Sequence, residues 1–472
     1  MAVYYGFSFR NEGDFMINGT KNLTRGSMTG NLLVFAVPFL LANLVQAMYS
    51  AVDLWVVGKF GGGKIGVAAV SNGGEVMHLV MSFIMGLTTG ATVLIGRYFG
   101  AGDKRNTSRC IGMVMSFSLL MSVFMTAGLV LLAPLLVSAL HVPDEAVKET
   151  IQYISICSWG VVFIIGYNAL AAIFRGFGNS VAPLIFVGVA CLCNIAGDVL
   201  LVAKWDMGVR GAAYATIISQ ALSMLLALFF LWKGKFGFKF ALPNFRINLK
   251  LVWQYLKIGI PIGLQSILIG LSFLFIVSIV NAMGGADSAP AAGYGIVNRI
   301  NGFAMLPAMS FAMALSALTA QNMGANKPFR AIKTLWLAIG YTWAAGLIFF
   351  SLLQFFPEKM VGLFIDQNSA GADDVIRNGV LYARSFSIDY ILVPIVFCTN
   401  GFFNGCGRSF FSMANNIACT FLFRVPISYF FSIMAGATLF HMGLAAPMAS
   451  VASNIVALIY LFSGRWRDRK AK

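Results

Sequence analysis

The run "PLIFVGVACLCNIAGDVLLVA" (residues 183–203) is apolar apart from one amide, Asn194, and one carboxylate, Asp198. A helix needs roughly 20 apolar residues to cross the hydrocarbon core of a bilayer, and this stretch has that length. A second run, "VQAMYSAVDLWVVG" (45–58), again places an acid, Asp53, among apolar neighbours.

The rest of the chain repeats the pattern. Of 472 residues, 59% are hydrophobic and 11% charged, against about 25% charged in a soluble globular domain. The mean hydropathy is +0.81. In lipid the backbone must satisfy its own hydrogen bonds, which leaves helices or closed barrels. The runs are continuous rather than alternating segments of about 10 residues, so helices are expected. Twelve spans follow, near 31–57, 66–97, 109–138, 149–170, 181–203, 208–232, 253–282, 290–320, 331–356, 376–402, 409–435 and 440–463.

Residues 1–30 are mixed polar, and no small-residue cleavage site follows the first run, so a cleaved signal is not expected. Met28 in "MTG" stands as an alternative start, which would make 1–27 an extension. The seven cysteines are scattered, without CxxC, and the three histidines lie far apart. Disulfide, zinc and haem readings are therefore weak. The net charge of +16 does not require nucleic acid. Lys and Arg set orientation in a membrane protein. With both termini inside, twenty-three Lys/Arg fall on the cytoplasmic side and seven on the other, leaving Arg299, Arg384 and Arg424 within spans.

The two halves echo one another. "FAVPFLLANL" (35–44) precedes "GRYFGAGDKR" (96–105), as "IGIPIGLQSI" (258–267) precedes "AQNMGANKPFR" (320–330). Pro38 and Pro261 are 223 positions apart; Gly100 and Gly324 are 224 apart. "RGFGNS" (175–180) returns as "NGCGRS" (404–409). The expected organisation is an N-terminal tail (1–30), a six-helix lobe (31–232), a basic cytoplasmic linker (233–252), a second six-helix lobe (253–463) and a basic tail (464–472). The fold class is an all-α membrane protein of twelve transmembrane helices in two pseudo-symmetric lobes. Such bundles are typical of secondary transporters.

Depth then groups the polar residues. Lys59 and Lys204 each follow an acid, Asp53 and Asp198, by six residues. If each Lys marks the outer interface, both acids sit roughly 9 Å below it, and Thr216 roughly 12 Å deep in the returning span. Tyr153 lies at a comparable level. Asn194 shares a helix face with Asp198, and Tyr49 with Asp53, at four-residue spacing. An Asp at a helix centre costs about 2.5 to 3.5 kcal/mol on insertion scales, so intramembrane acids are functional candidates. Two carboxylates, an amide and hydroxyls suit a proton or Na⁺. Gln46, Gln220 and Gln265 are candidate cavity-lining groups, with helix–helix hydrogen bonding an equally good reading. Asp389, with Arg299, Arg384 and Arg424, forms a less clear set in the second half, where a structural ion pair is at least as good a reading as a coupling role.

The same stretches resemble a known family. "FAVPFLLANLVQAMYSAVDLWVVGKFGG" (35–62), "YFGAGDKR" (98–105), "YNALAAIFRGFGNSVAPL" (167–184), "CNIAGDVLL" (193–201) and "GAAYATIISQ" (211–220) resemble the multidrug and toxic compound extrusion (MATE) family, in its bacterial DNA-damage-inducible and multidrug-export branch. The likeness runs over nearly all of 28–463. It implies two lobes forming a V, and efflux of organic cations in exchange for H⁺ or Na⁺ across the bacterial inner membrane. The family's cation site falls on Asp53, Asn194, Asp198 and Thr216, which would hold Na⁺ in a sodium-coupled member; Tyr49, Tyr153 and Gln46 would support it. Some branches use an acid in span seven; here 253–282 has none, although Asp389 would be a remnant of a second-lobe site, with Arg299 in the same half. No cofactor, nucleic acid or obligatory protein partner is expected beyond the bilayer and small organic drugs. The nearest rival is a flippase for lipid-linked saccharides or another amphiphile. An enzyme is not expected, since no HExxH, Ser/His/Asp grouping or nucleotide-binding GxxxxGK[ST] is present. A channel would more naturally present a repeated filter motif.

Overall fold

The computed structural model describes residues 20–140, 142–234, 245–284, 288–365 and 371–467. Residues 235–244 of the 233–252 linker, and His141, fall outside these. Every regular element among them is helical. The first half contains α1 (Met28–Phe60), α2 (Gly63–Gly100), α3 (Lys104–Ala139), α4 (Asp144–Trp159), α5 (Val161–Gly176), α6 (Val181–Asp198) with a π-helical turn (Val199–Lys204), and α7 (Gly208–Lys233). The second half contains α8 (Leu249–Gly284), α9 (Ala289–Ala304), α10 (Leu306–Gly324), α11 (Pro328–Phe355), α12 (Pro357–Gly362), α13 (Ala372–Phe386), α14 (Asp389–Gly405), α15 (Ser409–Cys419) with a π-helical turn (Thr420–Arg424), α16 (Val425–Ile433) and α17 (Leu439–Phe462).

Ten helices among the described residues are long and apolar enough to span a membrane, and twelve spans result when each of two bent pairs counts as one. Those pairs are α4–α5, bent by 48°, and α13–α14, bent by 52°. The sequence reads both as single runs. The first break falls at Gly160, where an added Cβ would sit 2.5 Å from Ile217 on α7. The α9–α10 span is interrupted at Met305, with Pro307 in the first turn of α10; a proline there removes a donor the helix start leaves unused. Pro38 and Pro261 lie inside α1 and α8.

The chain clusters into two compact units that cut across the sequence halves. Among the described residues, one comprises those at 20–22, 45–74 and 102–249; the other comprises those at 23–44, 75–101 and from 250 on. In the first, α6 and α7 pack along one another, tied by Ser223 Oγ donating to the Phe186 carbonyl at 2.9 Å. Phe186 meets Phe174 and Phe230 edge-on at 5.6 and 5.3 Å. In the second, α10 packs on α14 and α13 on α17. One apolar core there gathers Leu23, Phe35, Leu318, Phe402 and Trp466, and another gathers Val280, Tyr294, Leu353, Phe386 and Tyr390.

Candidate functional site

In the first unit, α1 carries Asp53, which is 7% exposed, and α6 carries Asn194 and Asp198, at 1% and 0%. Asp53 Oδ1, both carboxylate oxygens of Asp198 and both polar side-chain atoms of Asn194 are buried without a hydrogen-bond partner. Buried polar groups are nearly always paired, and uncompensated buried charge is costly. The two acids lie within electrostatic range of each other. This is a place where a small cation or a proton would relieve a deficit that the protein leaves open.

Local sequence brings the groups together. Asn194 and Asp198 are one turn apart on α6, hence on one face. Helix α6 changes to a π-turn immediately after Asp198, a feature frequent at functional sites. Gly197 lets α7 approach: its Cβ would be 2.9 Å from the Ala215 methyl, and Thr216 is the next residue, half-buried. Tyr153 of α4 is buried and near Asp53 and Tyr49. Its ring sits where a Cβ on Gly73 of α2 would be, 2.6 Å away. Tyr49 is half-buried on α1, within electrostatic range of Asp53 and bordered by Gln46. Gly73 and Gly197 are contributions the sequence reading missed; among 49 glycines nothing local distinguishes them.

In the second unit Asp389 opens α14. It is buried, with Oδ1 unpartnered and Ser450 beside it. Its charged neighbour is Arg424, at the end of the second π-turn, with the guanidinium 4.4 Å from the Phe273 ring. Arg384 and Arg299 are exposed. Tyr382 and Tyr390 lie within electrostatic range of this acid, and Tyr294 meets Tyr382 with the rings 5.0 Å apart. The hydroxyls of Tyr294 and Tyr390 are buried and unpartnered, and neither tyrosine was singled out from sequence. Gln220 and Gln265 each bury an unpaired Oε1. Among the described residues no cluster of three or more His, Cys, Asp or Glu is placed to hold a metal.

A bundle of helices long and apolar enough to cross a membrane, with unpartnered acids buried inside it, has the architecture of a membrane transport protein. The MatE family model matches residues 38–200 and again 261–430, the two matches opening on Pro38 and Pro261. The chain belongs to this family, the MATE multidrug efflux transporters. It is similar to the "Probable multidrug resistance protein YpnP" of Bacillus subtilis, at 27% identity over 454 residues, 95% of this chain and 98% of that one. The "Multidrug export protein MepA" of Staphylococcus aureus is 24% identical over 339 residues, 71% of this chain and 73% of that one. Among solved structures, the outward-facing conformation of a multidrug resistance MATE family transporter superposes with a TM-score of 0.87 at 21% identity, covering 95% of this chain and 98% of that one. A transporter of the same superfamily from Pyrococcus furiosus, described as having a binding pocket of reverse polarity, gives 0.85 at 22% identity, over 94% and 97% of the two chains.

Proposed function

We propose that this chain exports organic compounds, chiefly cations, from a bacterial cell across its inner membrane in exchange for H⁺ or Na⁺, by alternating access. The observation that carries this reading is the pair Asp53 and Asp198, buried together with Asn194 and left without hydrogen-bond partners. Carboxylate, amide and hydroxyl oxygens are the ligand set a hard cation takes. Asp53, Asn194, Asp198 and Thr216 supply them for transported Na⁺, and the carboxylates alone suffice for H⁺. An acid neutralised by the coupling ion no longer attracts an organic cation, so ion entry favours drug release and drug binding favours ion release. A membrane potential adds about 2.3 kcal/mol per charge per 100 mV. Tyr49, Tyr153 and Gln46 orient the network.

The reading places both termini and the 233–252 linker in the cytoplasm and takes 31–232 and 253–463 as the two lobes that exchange access. It needs no cofactor, nucleic acid or protein partner. The names of the relatives support a drug substrate. Reconstitution into proteoliposomes, with a pH gradient or a Na⁺ gradient imposed separately, tests it. Dye movement under neither gradient would rule the exchange out. The rival reading, a flippase for lipid-linked saccharides or another amphiphile, draws on the half-buried cation Arg424 beside Asp389. Translocation of a fluorescent lipid by the same vesicles without ion exchange would favour it.

A further inference from the structure

Residues just ahead of α1 are packed into the second unit. Leu23 is 1% exposed and joins the core built by Leu32, Phe35, Leu318 and Trp466. Its backbone N–H donates to Gln321 Oε1 of α10 at 3.0 Å. The next three carbonyls are also taken. Lys327 Nζ donates to the Thr24 carbonyl at 3.0 Å. Arg330 Nη2 donates to the carbonyls of Arg25 and Gly26 at 3.1 and 2.7 Å, and Asn31 Nδ2 to that of Arg25 at 2.7 Å. Gly26, with a φ of +75°, then turns the chain into α1.

The anchor of this strap is also a crossing point. The backbone of Gln321 lies against Gly100 of α2, and that of Arg97 against Gly324 of α10, each where no Cβ fits. One turn further in, a Cβ on Gly96 would lie 3.2 Å from the Ala320 methyl. The side chain of Gln321 thus holds Leu23 while its main chain forms the seam between α2 and α10.

We propose that residues 23–26 are a latch that holds the α2–α10 seam shut, and that this end of the bundle opens only when the latch lets go. The cationic side chains of Lys327 and Arg330 grip backbone carbonyls, so the grip does not depend on the side chains of residues 24–26. Leu23 adds the apolar part. The link to a transport cycle rests on the exporter reading above; the latch itself does not.

The test is a reporter cysteine, Ala320→Cys, in a chain whose seven native cysteines are replaced, labelled with a maleimide in nanodiscs. Ala320 is fully buried, so labelling reads seam opening. Lys327→Met/Arg330→Met, which removes three hydrogen bonds from charged donors, should label at least about tenfold faster than the parent, and so should Leu23→Ala, which removes the apolar anchor and keeps the backbone bond. Ser27→Ala, which removes a bond to Gly30 N–H and none of the latch, should label at the parent rate. Should Ala320→Cys fold poorly, Met323→Cys, half-buried on the same helix, serves as reporter. Should Leu23→Ala fold poorly, the Lys327/Arg330 pair decides alone. Unchanged labelling in a folded latch variant would overturn the proposal. Faster labelling without dye efflux by any variant, parent included, would keep the latch and remove the exporter reading.

Discussion

Gly100 and Gly324 stand in a reciprocal relationship: a Cβ on either would drive into the backbone of the other's helix, at Gln321 and Arg97 respectively. Gly324 follows Gly100 by 224 positions, and Gln321 follows Arg97 by the same 224. The repeat visible in the sequence is therefore a local two-fold contact in space, and its own equivalent residues form it. Because each obstructing atom is main chain, neither side can yield by a rotamer change.

Gly100→Ala and Gly324→Ala should each cost about 1–3 kcal/mol, the usual range for overpacking. Gly128 in α3 has nothing within 4 Å of an added Cβ, so Gly128→Ala should be neutral or gain up to about 1 kcal/mol from helix propensity. Thermal unfolding of the purified variants in one detergent provides the comparison. Equal melting temperatures for all three would contradict the seam geometry.

Asp53→Asn and Asp198→Asn keep side-chain volume while removing charge, so both should fold and reach the membrane. Gradient-driven efflux should nonetheless be lost while some drug binding survives. Cationic-dye efflux from energised cells, normalised to membrane expression, measures this. Full efflux by the double variant would refute the coupling site.

If Asp389 is only a structural partner of its neighbours Arg424 and Ser450, Asp389→Asn should be milder, since an amide partly fills that role. A dead Asp389→Asn beside active first-unit variants would move the coupling site to the second unit. Arg424→Met should lower thermal stability through loss of its contact with Phe273, a cation–π contribution of about 0.5–2 kcal/mol.

A cysteine at position 240, in the basic linker, should resist an impermeant thiol reagent in sealed right-side-out vesicles and react once they are opened. Labelling of intact vesicles would reverse the assigned orientation.

Asp103 caps α3: its carboxylate accepts from Asn106 N–H at 3.0 Å and from Asn106 Nδ2 at 2.7 Å. Those bonds hold its carboxyl below the usual carboxylate range. Asp103→Ala should cost about 1 kcal/mol, as lost caps do. Since the folded pKa is the lower one, the cap's contribution is fully present above the unfolded value, about 3.9. It fades as the pH falls through the folded one. The gap in stability between parent and variant should be constant near neutrality and close only in more acid solution.

Much of this was legible along the chain because a bilayer imposes one-dimensional rules. Span length follows from hydrocarbon thickness. The helical class follows from the need to satisfy the backbone internally. An acid or amide inside an apolar run is visible without knowing what surrounds it, which is why Asp53, Asn194, Asp198 and Asp389 could be named from sequence. The repeat was legible because both halves kept their prolines and glycines at near-constant offset.

Tertiary structure decided whatever depends on partners distant in the chain. At the break, Gly160 is packed against Ile217, more than fifty residues on. The neighbour of Asp389 is Arg424, brought close by a π-turn, rather than the nearer Arg384. Gly73 and Gly197 matter because Tyr153 and Ala215 press on them. Leu23 and the carbonyls after it are gripped by Gln321 of α10, Lys327 between the helices and Arg330 of α11, some 300 residues away. Periodicity and hydropathy register what each residue prefers as a solvent; close packing between helices is a property of pairs, and no single stretch of sequence contains both members.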